Sequence, residues 1–108
     1  MVAMPVFGQV ERDTVEYEII PQHIDEINVI GDAHDIYWVR VLLKEIYHDN
    51  YADLTEDNIE NVLRITFQNE VLAQPVIKSG VRGGRILIGP YEDEEKARGI
   101  LNWIRDGI

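Results

Sequence analysis

Gly83-Gly84-Arg85-Ile86-Leu87-Ile88-Gly89-Pro90-Tyr91-Glu92-Asp93-Glu94-Glu95-Lys96-Ala97 is the stretch on which the fold turns. Paired glycines reach backbone angles that a Cβ disfavours, so Gly83-Gly84 reads as a tight turn. Arg85 to Ile88 is apolar and rich in β-branched residues, hence a strand. Pro90 has no amide to give to a ladder, so the strand is expected to end there. The four acids Glu92 to Glu95 suit the positive end of a helix dipole. Turn, strand and helix are specified in succession by local chemistry.

The helix that follows should run over Glu92–Asp106. Ala97, Ile100, Leu101 and Ile104 form its buried stripe, and Trp103 lies at one edge. Gly99 is weaker than alanine inside a helix, which suggests a close-packing role. Gly107 stands where a C-terminal glycine cap is expected. Upstream, Val76-Ile77-Lys78 reads as a short strand and Ser79 to Gly84 as a glycine-rich loop. Thr55 is a good N-cap with Glu56 and Asp57 behind it. The stripe Ile59, Val62, Leu63, Thr66, Phe67, Val71 has helical spacing, which predicts a helix over Glu56–Leu72 stopped by Pro75. His48 to Asp53 is polar and reads as a loop.

Ile36-Tyr37-Trp38-Val39-Arg40-Val41-Leu42-Leu43 is dominated by aromatic and β-branched residues. A strand is favoured, although Ile36, Val39, Leu43 and Ile46 also fit a helical stripe. In a strand, Tyr37, Val39, Val41 and Leu43 share one face; Trp38, Arg40, Leu42 and Lys44 share the other. Thr14 to Ile20 alternates as a half-buried strand does, and Pro21 ends it. Ile27 to Ile30 is a short apolar piece before the turn signal Gly31-Asp32. The class is therefore α+β: a ferredoxin-like split β-α-β unit, its antiparallel sheet carrying two helices on one face, with an N-terminal strand or arm added. The strand near Val15 to Ile20 could fill the slot left by the final strand of such a unit. The division is 1–35, an acidic arm and edge strand, and 36–108, the α/β sandwich domain.

Arg85-Ile86-Leu87-Ile88-Gly89-Pro90-Tyr91, followed by Glu95, Ala97 and Leu101, resembles the second half of a SPOR domain. Tyr37-Trp38-Val39-Arg40-Val41 resembles that family's first strand. Together the matches lie within Tyr37 to Arg105. The resemblance implies a ferredoxin-like sheet and a module that binds peptidoglycan glycan strands lacking stem peptides. There are departures. Arg40 stands in place of the usual glutamine. Leu42-Leu43-Lys44 replaces the usual Gly-small-Phe. The loop between first strand and first helix is longer than is typical.

Twenty acids against ten bases give a net charge of −10, which disfavours nucleic acid and anionic membrane surfaces. Up to Asp35 there are eight acids and only Arg12 as a base, a charge of −7. Lys78, Arg82 and Arg85 make a small basic patch. There is no cysteine, so neither disulfides nor thiolate metal sites arise. The start Met1-Val2-Ala3-Met4-Pro5 has no basic leader and no apolar run long enough to span a bilayer, so a soluble chain without a signal peptide is expected. The compartment stays open. Residues 1–12 are expected to be mobile in the isolated chain and to order on a partner.

No catalytic constellation stands out. His23, His34 and His48 each lie beside an acid without two-ligand helical spacing. Asp32, His34 and Asp35 are the one metal grouping worth weighing, and a surface turn explains them as well. No nucleophile elbow, phosphate loop or calcium loop is present. The expectation is a non-enzyme with no cofactor and no metal. Trp38, Arg40, Arg82 and Arg85 are the candidate ligand-binding residues, because an aromatic with arginines on an open sheet face suits a sugar ring or an acidic protein surface. The partner is then a glycan strand or a larger protein subunit, with self-association open. The alternative to the SPOR-like module is a small acidic interaction or assembly component, for example an accessory phage virion protein.

Overall fold

The computed structural model describes residues 12–108. The expected arm over residues 1–12 lies outside the described residues except for Arg12. The architecture is α+β and consistent with a ferredoxin-like split β-α-β unit. In chain order the elements are β1 (Thr14–Glu18), β2 (Ile24–Gly31), β3 (Tyr37–Leu43), α1 (His48–Glu56), β4 (Val62–Phe67), β5 (Glu70–Ala73), β6 (Arg85–Tyr91) and α2 (Glu94–Arg105). Short 3-10 turns at Pro21–His23 and Glu45–Tyr47 precede β2 and α1. The strands form two three-stranded sheets, one ordered β1-β4-β5 and the other β2-β3-β6.

The β2-β3-β6 sheet is antiparallel, and β3 is its centre. Strand alternation places Val39, Val41 and Leu43 inward, where they are buried, and leaves Trp38, Arg40 and Leu42 half-buried on the other face. On β6, Ile86 and Ile88 are buried while Arg85 and Leu87 are exposed. Val39 pairs with Ile88 and Val41 with Ile86, so the inward residues stack across the ladder. Helix α2 covers that face with Ala97, Leu101 and Ile104. Its N-cap is Asp93, whose carboxylate accepts from the Glu95 amide at 2.8 Å. Burying one such isoleucine contributes about 2–3 kcal/mol.

Strand β6 runs on to Tyr91 rather than stopping at Pro90. Val39 faces Ile88 and Tyr37 faces Tyr91, so Trp38 alone stands opposite Gly89 and Pro90. That is a β-bulge, where a residue without an amide hydrogen is tolerated. Gly89 has φ +142°, and a Cβ there would meet the Tyr37 carbonyl at 3.1 Å and the Trp38 ring at 3.2 Å. Gly99 turns out to have no packing reason: nothing lies within 4 Å of a Cβ placed on it.

The helix expected over Glu56–Leu72 is absent. Val62–Phe67 is strand β4, with Leu63, Ile65 and Phe67 buried at a period of two. It runs parallel to β1, from Thr14 opposite Val62 to Glu18 opposite Thr66. A two-residue turn, Gln68-Asn69, carries positive φ at both positions (49° and 65°) and returns the chain into β5. Ile59 and Val71, two members of the supposed helical stripe, are exposed. Val76 makes one isolated bridge to Val62 instead of a strand. The first helix lies earlier, over residues expected to be loop. Tyr51, Ala52 and Thr55 form its buried face, so Thr55 stands in the last turn and is not an N-cap. The β1-β4-β5 sheet also meets the second helix: Phe67 of β4 packs edge-on against Trp103 of α2, ring centroids 4.8 Å apart. Among the described residues no helix is long and apolar enough to cross a membrane.

Candidate functional site

A cleft of about 350 Å³ opens where the outer face of the β2-β3-β6 sheet approaches the β1-β4-β5 sheet. Trp38, Leu87 and Arg85 come from the first sheet; Leu63, Ile65 and Ala73 come from the second. The 75–81 segment closes one side with Pro75, Val76, Ile77 and Lys78, and α1 contributes Tyr51 and Thr55. The lining is mainly apolar, with cations at Arg85 and Lys78. Strand pairing explains Trp38 and Leu87. Both sit on the face of their strands turned away from α2, which the second sheet covers only in part.

Of the four residues expected to bind a ligand, the structure brings two together. Trp38 and Arg85 both line the cleft. Arg40 shares the outer face but does not reach it, because its Nε donates to Asn28 Oδ1 at 3.1 Å across the β2-β3 ladder. Arg82 is outside the cleft and pairs with Glu56 at 2.5 Å. Lys78 pairs with Glu60 at 3.5 Å. Arg85 has no ion-pair or side-chain hydrogen-bond partner among the described residues. It is therefore the uncompensated charge of the cleft.

The expectation missed Leu87, Val76 and Thr55. Leu87 was legible in principle, since alternation exposes it beside buried Ile86 and Ile88. Thr55 was not. Its hydroxyl donates to the backbone carbonyls of Tyr51 (3.1 Å) and Ala52 (3.0 Å), and the Val81 amide donates to it at 2.8 Å. This fully buried hydroxyl ties the glycine-rich segment to α1. Thr55→Val keeps the shape but leaves the Val81 amide without that acceptor. A loss of about 1–3 kcal/mol is expected, seen as a lowered melting temperature in calorimetry, with Thr55→Ser close to wild type. An unchanged midpoint for Thr55→Val would show that the loop is held by other contacts.

The histidines take structural places. His23 stacks on Tyr47 with ring centroids 3.7 Å apart. The His48 Nε2 sits 2.7 Å from the Leu43 carbonyl, so that nitrogen carries the proton and donates. Asp32 accepts from the His34 and Ile36 amides at 2.8 and 3.1 Å, which makes the 32–36 segment a side-chain-capped turn. Among the described residues no three His, Asp or Glu side chains are grouped to hold a metal. Burial raises the Tyr17 and Tyr91 hydroxyls above the ordinary phenol range. Tyr51 is raised further, first by burial and then by Tyr17 beside it.

No family model matches the chain, and no curated protein matches it. Two solved structures share the fold, both of SecDF. One is a crystal structure of SecDF in a super-membrane-facing form; the other is described as a membrane component that enhances protein export. Each is 22% identical over 81% of this chain, with a TM-score of 0.72. The aligned part spans 12% of the first of those chains and 40% of the second. At that identity the likeness establishes the fold alone.

Proposed function

We propose that this chain is a non-catalytic binding module whose cleft receives an extended polypeptide segment bearing an apolar side chain next to a carboxylate. The carrying observation is the uncompensated Arg85 guanidinium at the edge of an apolar floor made by Trp38, Leu87 and Val76. Apolar walls favour a side chain leaving water. A guanidinium at the rim favours a carboxylate over an amide or a cation. Among the described residues β6 pairs with β3 alone, so its second edge can offer backbone groups to an extended guest. A polypeptide ligand also accords with the description of SecDF as enhancing protein export, a property of that protein. This is the interaction-component reading, with a chemical class of partner attached.

The SPOR-like reading has one observation in its favour. Trp38 and Arg85 line the same cleft, the aromatic and guanidinium pairing that a sugar ring with polar substituents would use. Titration separates the two. The probes are the amidated, acetylated pentapeptide Glu-Val-Ile-Val-Glu, its lysine counterpart Lys-Val-Ile-Val-Lys, and peptidoglycan with and without stem peptides. The glutamate peptide should bind, and Arg85→Glu should weaken it by about tenfold, roughly one desolvated charge pair, while improving the lysine peptide. Retention on stripped peptidoglycan that Trp38→Ala abolishes, with neither peptide bound, would replace this reading by the glycan one. Equal binding of both peptides to wild type would remove Arg85 from the site.

A further inference from the structure

A second hollow of about 300 Å³ lies between β1 and α1, sharing Tyr51 with the Trp38 cleft and otherwise lined by different residues. Its walls are unusual for so small a protein. Three of the five tyrosines, Tyr17, Tyr47 and Tyr51, line it together with His23. Tyr17 and Tyr51 meet almost at right angles, with centroids 5.1 Å apart and planes at 73°, so they form a corner. His23 and Tyr47 stack nearly parallel at 14°, a double-thickness wall. Ile20 and Leu54 complete the apolar part, and the one carboxylate in the lining is Glu18.

The elements that line the hollow carry acidic side chains. Neither β1, α1 nor the 3-10 turns at Pro21–His23 and Glu45–Tyr47 carry a lysine or arginine; the nearest in sequence is exposed Lys44. Glu18, Glu45, Asp49 and Asp53 on those elements are without an ion-pair partner among the described residues. Aromatic faces are electron-rich, and carboxylates beyond them deepen the negative potential. A weakly hydrated cation gains most in such a place, because little water has to be stripped from it.

From this we infer that the Tyr17–Tyr47–Tyr51 hollow is a binding site for an alkylated ammonium group, with the tyrosine rings as the cage and Glu18 as its counter-charge. The same chemistry occurs on a free quaternary amine and on a methylated lysine side chain. Pure packing of a satellite aromatic cluster would favour any guest of the right shape. A cage favours the charged one.

Nuclear magnetic resonance titration on the whole chain reads the difference, following the tyrosine ring signals. The probes are choline, its uncharged tert-butyl analogue in which carbon replaces nitrogen, and a short peptide containing trimethyllysine. Choline or the peptide should bind about tenfold more tightly than the uncharged analogue. Preference between those two cationic probes identifies the source as a free amine or a modified protein. Tyr47→Leu should weaken cation binding by about tenfold, and exposed Glu18→Gln should weaken it several-fold with less dependence on salt. Equal affinity for the uncharged analogue would reduce the hollow to an apolar dent. Absence of saturable binding of either cationic probe at millimolar concentration, in wild-type protein whose spectrum shows it folded, would overturn the inference outright.

Discussion

Ile88→Ala is expected to destabilise the domain by about 3–4 kcal/mol, within the range for large-to-small changes at sites that cannot collapse. Ile88 has no exposed surface, stands opposite Val39 in the ladder, and belongs to the cluster that α2 covers with Ala97, Leu101 and Ile104. A strand residue cannot move without breaking its backbone pairing, so the space left behind stays largely empty. Leu87→Ala, one position along, is the control. Leu87 is 39% exposed and faces the cleft. Its loss should shift stability by less than about 1 kcal/mol, since exposed positions respond weakly, and should reduce ligand binding instead. Urea midpoints of the two variants check this. Similar midpoints would mean that the two faces of β6 are assigned the wrong way round.

Gly84→Ala should be nearly as damaging, by about 2–4 kcal/mol, for two separate reasons. Gly84 has φ +66°, which an alanine adopts at a cost of about 1 kcal/mol. A Cβ there would also come within 2.4 Å of the His48 ring and 3.2 Å of the Leu43 Cβ. His48 must then swing away from the Leu43 carbonyl that it now bonds at 2.7 Å, and a half-buried hydrogen bond of this kind is worth about 1 kcal/mol. Gly83→Ala isolates the first reason. Gly83 has φ +84° but open space around a Cβ, so only the backbone term remains. Denaturation of both variants should therefore show Gly84→Ala clearly the worse. Equal effects would show that His48 does not occupy the space beside Gly84.

The parts of the fold that could be read from the chain are those where one local signal had no competitor. Arg85 to Ile88 lies between a glycine turn and a Gly-Pro bulge. Asp93 caps α2 ahead of a stripe at Ala97, Leu101 and Ile104. Tyr37 to Leu43 did have a competitor, the helical stripe Ile36, Val39, Leu43 and Ile46, and its aromatic and β-branched composition decided for the strand that is found. The region Thr55 to Ala73 defeated the reading because Ile59, Val62, Leu63, Thr66, Phe67 and Val71 satisfy helical spacing by coincidence. The residues that decide for a hairpin are Ile65, which lies off that stripe yet is buried, and the turn Gln68-Asn69, of which only Asn69 is a common turn former. Helix α1 was hidden by its polarity, since only Tyr51, Ala52 and Thr55 face inward.

The site divides in the same way. Trp38 and Arg85 followed from alternation on adjacent strands. Arg40 and Arg82 were lost to Asn28 and Glu56, partners 12 and 26 residues away that only the folded chain brings near. Lys78, noted from the sequence as part of a basic patch, does line the cleft, but Glu60 already meets its charge.

Amide and side-chain shift mapping with the acetylated Glu-Val-Ile-Val-Glu peptide tests the central claim most directly. The account predicts perturbations concentrated at the Trp38 indole, Leu87, Val76 and Ile77, with the Arg85 side-chain signals moving as the glutamate docks. Perturbations confined to the outer edge of β2 or to the β1-α1 hollow, with Trp38 and Leu87 unmoved at saturation, would contradict it.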